Sequence, residues 1–277
     1  MPELPEVESL RRVLADEIVG RRIIAAMVTE PRLRRPLSPS LVGRVKGRVI
    51  GAINRRAKYL LLDLDTDAIL LVHLGMSGSL TVRRDPAAGG ALDTRHDHVR
   101  FVLDDGRCLI FNDPRRFGLI RLLDRTELAE AEELKGIGPE PFGAEFTIDY
   151  LWPLTRGRST AIKNLLMDQR IVAGVGNIYA SEILFRAGVR PTRRARRVTW
   201  AEAERIVAIT RQVLEEAIGN GGTTFRSYLD GRGEPGRFAE RLRVYDRTGQ
   251  PCVKCRTPIR AVVIGQRSSF YCPRCQR

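Results

Sequence analysis

The chain has 277 residues, 43% of them apolar, and carries 47 Lys and Arg against 33 Asp and Glu, a net charge of +14. The apolar share excludes wholesale disorder, the length suits two ordinary domains, and the arginine-rich excess points to a polyanion as partner. No apolar run reaches the length of a membrane span, and the acidic first ten residues argue against a secretory signal, so a reducing cytoplasm is expected.

The chain opens MPELPEVESL. The stretch from Pro5 to Gly20 predicts a helix with Val7, Leu10, Leu14 and Ile18 on one face and Glu3 and Glu6 at or near its positive end. Loss of Met1 would give Pro2 a free secondary amine with a pKa of about 8, against about 10.4 for a lysine. Such an amine beside an acid is a candidate covalent catalyst, and the competing reading is a loose terminus without a role.

Residues 22 to 122 read as strands, with a hairpin at Asp105-Gly106 and a loop at RRDPAAGGALDTR. His73 is ambiguous alone, and HDH at 96–98 lacks an obvious third metal ligand. Cys108 reads as a packing residue in an apolar strand. NDPRRFGLI places Phe117 beside two arginines after a strand, as either a base-inserting aromatic or a core residue. RTELAEAEELKG predicts a short helix, and the turn-rich GIGPEPFGAEF marks a boundary.

The second half predicts helices at STAIKNLLMDQR, NIYASEILFRAG and TWAEAERIVAITRQVLEEAIGNGG, the last with a capping box at Thr199 and Glu202. GVGNIYASE reads as a phosphate cradle at a helix start or as a tight interhelical turn, and the fuller nucleotide fingerprints are missing, so no nucleotide cofactor is expected. Cys252, Cys255, Cys272 and Cys275 form C-x2-C-x16-C-x2-C, the spacing of a closed structural zinc site on a β-hairpin.

The stretches MPELPEVE, RRAKYLL, HLGMSGSL, NDPRRFG, TAIKNLLMDQ, GVGNIYASE, DGRGEPGRF and the two CxxC pairs, in this order, resemble the bacterial formamidopyrimidine-DNA glycosylase family from end to end. The resemblance implies an α+β fold: an N-terminal two-layer β-sandwich with flanking helices over 1–133, a linker over 134–149, a helical DNA-binding domain with a helix–two-turn–helix motif over 150–239, and a zinc-finger β-hairpin over 240–277. Damaged double-stranded DNA would lie between the domains. The implied enzyme is a cytoplasmic, nucleoid-associated monomer holding one zinc ion. It would excise oxidised purines in base excision repair and cleave the strand by β,δ-elimination.

The resemblance further implies Pro2 as nucleophile, Glu3 as proton donor to the sugar, Lys58 as a phosphate-contacting helper of the lyase step, and Glu6 as a supporting residue. Met76, Arg115 and Phe117 would fill the void left by the extruded base. His73, Asn177, Tyr245 and Arg267 would hold backbone phosphates. Lys163 would lie near the base pocket, and the loop from about Ser227 to Phe238 would cover the base. One departure from the family pattern is Arg256, where the zinc knuckle usually has glycine and a positive φ. The alternatives are an endonuclease VIII-type enzyme for oxidised pyrimidines, against which Leu4 stands, and a catalytically silent DNA-binding homologue.

Overall fold

The structure, a computed structural model, describes residues 1–84, 94–224 and 230–277. The chain divides into two compact units, Met1–Lys135 with Ile218–Ala239, and Gly136–Ala217 with Glu240–Arg277. Among the described residues no helix is long and apolar enough to cross a membrane.

In the first unit, helix α1 (Leu4–Ile18) is followed by β1 (Ile23–Val28), α2 (Leu41–Val45), β2 (Ile50–Arg56), β3 (Tyr59–Leu64), β4 (Ala68–His73), β5 (Ser79–Arg84), β6 (Asp97–Leu103), β7 (Arg107–Asn112) and β8 (Leu119–Asp124). They form two four-stranded sheets, ordered β1-β6-β7-β5 and β2-β3-β4-β8, with antiparallel neighbours throughout. One core joins Leu60, Leu62 and Leu70 of one sheet to Phe101, Leu109 and Phe111 of the other, with Val7, Leu10, Leu14 and Ile18 of α1 packed into it. The helix stripe read from the sequence is therefore the buried face. Leu61, Ile69, Leu71 and Leu119 pack on the opposite face of the second sheet against Ala131, with Leu128 and Leu134 alongside. The helix expected there is a 3₁₀ segment, Arg125–Glu130, closed at Ala131 in an extended conformation.

Strand register decides what stands at one end of the sandwich. His73 at the end of β4 pairs with Tyr59 at the start of β3 and with Leu119 at the start of β8. Ser79 at the start of β5 pairs with Asn112 at the end of β7. The segments beyond these positions, carrying Lys58, Met76, Arg115 and Phe117, thus all issue from the same end.

The second unit contains α3 (Ile148–Thr155), α4 (Ile162–Met167), α5 (Asn177–Ala187), all but the end of α6 (Trp200–Gly219), and a hairpin of β9 (Arg260–Ile264) and β10 (Arg267–Tyr271). The expected capping box forms at the start of α6: Thr199 N–H donates to Glu202 Oε2 at 2.8 Å and Glu202 N–H to Thr199 Oγ1 at 3.3 Å. Between α4 and α5 the Gln169 side chain staples the turn, donating to Met167 and Val175 carbonyls and accepting from Gly174 N–H. The hairpin turns at Gly265-Gln266 with both φ positive (55° and 61°), and a Cβ on Gly265 would stand 2.9 Å from Asn164 Oδ1, so the tip lies close against α4.

Two boundaries differ from the sequence-based division. The hairpin does not stand alone, because Phe185 of α5 shares a core with Val244, Ile259 and Phe270. The segment 218–239, assigned to the helical domain, packs into the first unit, where Glu6 and Glu17 bind it.

Arg256 takes φ +64°, as the sequence comparison implied, and its N–H donates to Cys252 O at 3.0 Å. A left-handed backbone costs an L residue about 1 kcal/mol that glycine avoids. Arg256→Gly should therefore raise the melting temperature with zinc retained; a lower melting temperature at full zinc content would contradict this.

Candidate active site and nucleic-acid interface

At the terminus, Glu3 is the N-cap of α1, and its N–H donates to Glu6 Oε2 at 2.7 Å. Glu6 Oε1 accepts the N–H of Thr223 at 2.7 Å. Pro2, Glu3 and Glu6 are all buried, while Met1 is 47% exposed. Lys58 is buried in the turn between β2 and β3, behind Ala57 in a left-handed conformation (φ 51°). The Arg55 guanidinium fastens this turn to α1, donating to Ala57 O at 3.0 Å and to Glu8 Oε2 at 3.1 Å. Burial raises the Glu8 carboxyl, but hydrogen bonds from Arg11, Arg12 and Arg55 outweigh it and hold the group below its ordinary range.

His73 stands beside this cluster. Burial, then the positive charges of Lys58, Arg34 and the terminal amine, push its pKa down to about 4, so the ring is neutral at neutral pH. Its Nδ1 accepts Gly75 N–H at 3.0 Å, which places the proton on Nε2 as a donor. Gly75 has φ +63°, and a Cβ there would fall 2.5 Å from the carbonyl carbon of Phe117. Only glycine lets the Met76 turn lie against the Arg115–Gly118 loop.

That loop is organised by Asp113, a fully buried residue that sequence reasoning did not single out. Its carboxylate accepts from Gly118 N–H (2.7 Å), Ser77 Oγ (2.8 Å) and Arg115 N–H (3.3 Å). The signal was its place as an Asp-Pro pair closing a strand, where Asp commonly bonds nearby backbone. Phe117 is 46% and Met76 39% exposed, so neither is core. The Arg115 guanidinium lies 4.8 Å from the Phe117 ring centroid. His98 is a structural residue with Nε2 2.8 Å from Asp113 O, which disposes of the HDH metal reading.

Of the loop expected over Ser227 to Phe238, residues 227–229 lie outside the described residues. Its stem is closed by Phe238 N–H to Gly222 O at 3.0 Å. Arg232 joins it to Glu17 of α1 at 2.8 Å.

In the second unit Asn177 begins α5 directly after its N-cap, Gly176. Lys163, expected near the base pocket, is fully enclosed. Its ammonium donates to Asn177 Oδ1 (2.6 Å), Ser269 Oγ (2.6 Å) and Ser268 O (3.1 Å), so it ties the α5 start to the hairpin and positions Asn177. The buried Glu182 carboxylate accepts the N–H groups of Arg243, Val244 and Tyr245 at 2.9–3.0 Å. This orients Tyr245, whose ring packs on Phe270 with centroids 4.9 Å apart. Glu182 was also missed; its signal was an acid on the apolar face of a helix. Arg267 is exposed on β10.

Cys252, Cys255, Cys272 and Cys275 bring their sulfurs within 4.8 Å of one another, the one such metal-ligand cluster among the described residues. The Cys252–Cys275 and Cys255–Cys272 separations are 3.9 and 3.4 Å. A tetrahedron with Zn–S bonds of about 2.3 Å has edges of about 3.8 Å, so the set fits one zinc ion.

Residues 1–120 match the formamidopyrimidine-DNA glycosylase N-terminal domain, 137–228 the H2TH domain of those enzymes, and 249–277 the zinc finger found in FPG and IleRS. The formamidopyrimidine-DNA glycosylase of Thioalkalivibrio sulfidiphilus (strain HL-EbGR7) is 50% identical over 277 residues, all of both chains. The crystal structure of the MutM (Fpg) protein of Thermus thermophilus is 38% identical and superposes with a TM-score of 0.88 over 99% of this chain and 98% of that one. Lactococcus lactis Fpg bound to abasic-site DNA is 31% identical, with a TM-score of 0.90 over 99% of each chain. The chain belongs to the formamidopyrimidine-DNA glycosylase family. It is a DNA glycosylase, and its four-cysteine cluster holds one structural zinc ion.

The neutral imidazole makes a signed prediction. The unfolded chain protonates His73 as pH falls below 6.5, whereas the folded chain resists until about 4. Its contribution is complete above pH 6.5 and is lost as pH falls to 4, about 3 kcal/mol in all. Urea unfolding of wild type and His73→Gln at pH 7.5 and 4.5 should show their stability difference changing by about 2–3 kcal/mol. A pH-independent difference would contradict a buried neutral ring.

Proposed function

We propose that the chain is a bifunctional glycosylase and AP lyase that removes oxidised purines from duplex DNA through a covalent intermediate on Pro2. The observation that carries this reading is the gathering of Pro2, Glu3 and Glu6 at the buried start of α1, with Lys58 buried in the turn that Arg55 ties to the same helix.

With Met1 attached, the Pro2 nitrogen is a tertiary amide without a proton or an available lone pair. Its removal frees a secondary amine. That nitrogen bonds to the anomeric carbon as the glycosidic bond breaks and the base leaves. Glu3 protonates the ring oxygen, opening the sugar and giving an iminium. The iminium accepts electrons when the C2′ proton is lost, so the 3′ phosphate departs; a second elimination releases the 5′ phosphate. Lys58 supplies a charge for phosphate near the lesion. The exposed Met76, Arg115 and Phe117 suit the gap left when a base is extruded. His73 offers a neutral N–H to the backbone, and Asn177, Tyr245 and Arg267 hold phosphates without reading sequence. The zinc hairpin is structural. The protein works as a monomer, without a nucleotide cofactor, on the DNA of the bacterial nucleoid.

Excision assays on matched duplexes should favour 8-oxoguanine over oxidised thymine by at least about tenfold, roughly 1.4 kcal/mol in barrier. Glu3→Gln should bind the lesion duplex like wild type but release base at least about a hundredfold more slowly, as expected for loss of a general acid. The reverse lesion order would make this a pyrimidine enzyme, and no release from either duplex would make it a silent binder.

A further inference from the structure

The carboxyl end of α5 carries a second basic site. Arg190, Thr192, Arg193, Arg194, Arg197 and Arg277 line one open cleft of about 470 Å³. No side-chain carboxylate lines it. Arg193 is paired with Glu202 at 2.5 Å. Arg190, Arg194, Arg197 and Arg277 have no carboxylate side chain in ion-pair range among the described residues, unlike Arg11, Arg32, Arg107 and Arg232 elsewhere in the chain. Arg190 also keeps an enclosed Nε without a hydrogen-bond partner, while its terminal nitrogen donates to Pro273 O at 3.2 Å.

Clustered guanidiniums repel one another unless an anion or the solvent compensates them. Here they stand at the negative end of the α5 dipole, which stabilises cations but is far too weak to neutralise four. The lining offers donors from guanidinium groups and one hydroxyl. Its lining has no ring for a base to stack on and no side-chain acid to accept from one. The matching ligand is a run of all-acceptor groups, and phosphates present the planar oxygen pairs that arginine binds bidentately.

From this we infer that the cleft is a second phosphate-backbone site, engaging a DNA segment other than the one held by Asn177 and Arg267. The inference rests on the proposed phosphate role of those two residues. The helix α5 has 11 residues, about 16 Å, and its two ends face opposite ways. DNA has a persistence length of about 50 nm, so a duplex held across the amino end runs on past the helix unless bending energy is spent to turn it toward the carboxyl end. Two segments held at once would let the enzyme pass from one to another without first returning to solution.

The test counts undamaged duplexes shorter than one helical turn bound per zinc-loaded protein at low salt, by native mass spectrometry and titration. Wild type should bind two. The double variant Arg194→Ala with Arg197→Ala changes exposed, unpaired residues and should bind one, its excision from a short lesion duplex unchanged. Tripolyphosphate should displace only the second duplex. The salt slope of the second step should exceed any residual binding in the variant by about two, at roughly 0.9 per phosphate. Arg267→Ala should weaken the first step alone; weakening of neither step would remove the Asn177–Arg267 reading while leaving the cleft. One duplex on wild type, or two on the double variant, would overturn the inference. Tripolyphosphate bound in the cleft with only one duplex taken up would likewise overturn the nucleic-acid assignment.

Discussion

The carboxylate of Glu6 holds together parts of the first unit that are distant in sequence. A carboxyl group that is 1% exposed is tolerated only if its oxygens are hydrogen-bonded, and here Oε2 takes the N–H of Glu3 while Oε1 takes that of Thr223. One group therefore secures the chain terminus, the first turn of α1 and the stem of the glycine-rich loop. Chain ends fray unless they are tied down. The nucleophile proposed on the second residue needs a position as well defined as that of a core side chain, and Glu6 fixes the backbone of the residue that follows it.

Around this anchor the sandwich adds the remaining groups by register. The pairing of His73 with both Tyr59 and Leu119 brings three chain reversals to one end of the unit. The Arg55–Glu8 bridge then draws the Lys58 turn onto α1. Asp113 does for the Phe117 loop what Glu6 does for the terminus, satisfying backbone donors that an exposed loop would otherwise lose to water. In the second unit Lys163 and Glu182 repeat the arrangement, as a buried cation and a buried anion each spent on placing a neighbour, Asn177 and Tyr245. The side chains that reach outward are thus held by buried charges that do not.

Much of this was legible in the sequence. The α1 stripe, the Asp105-Gly106 hairpin, the Thr199 capping box and the four-cysteine spacing are local patterns with local causes, and the structure contains each of them. The positive φ at Arg256 was legible as well, because a turn that needs glycine leaves a mark when another residue fills it. Three features were not legible. The tie that Lys163 makes depends on β10, about a hundred residues away, which offers Ser268 and Ser269 as acceptors. Segment 218–239 was assigned with the helices it follows, although its partners are Glu6 and Glu17 at the other end of the chain. The helix expected after β8 is only a 3₁₀ segment that ends at Glu130, because the chain turns extended at Ala131.

The proposed chemistry turns on the nitrogen of Pro2. Its claim over Lys58 is one of ionisation, since an ordinary α-amine, with a pKa of about 8, is partly uncharged near neutral pH, while an ordinary lysine, at about 10.4, is almost wholly protonated. The most direct measurement is borohydride trapping on 8-oxoguanine duplex, using protein verified by mass spectrometry to lack Met1, followed by peptide mapping of the adduct. The account predicts a reduced sugar adduct on the Pro2 nitrogen and no adduct from protein retaining Met1. An adduct on Lys58, or equal trapping with Met1 in place, would contradict it.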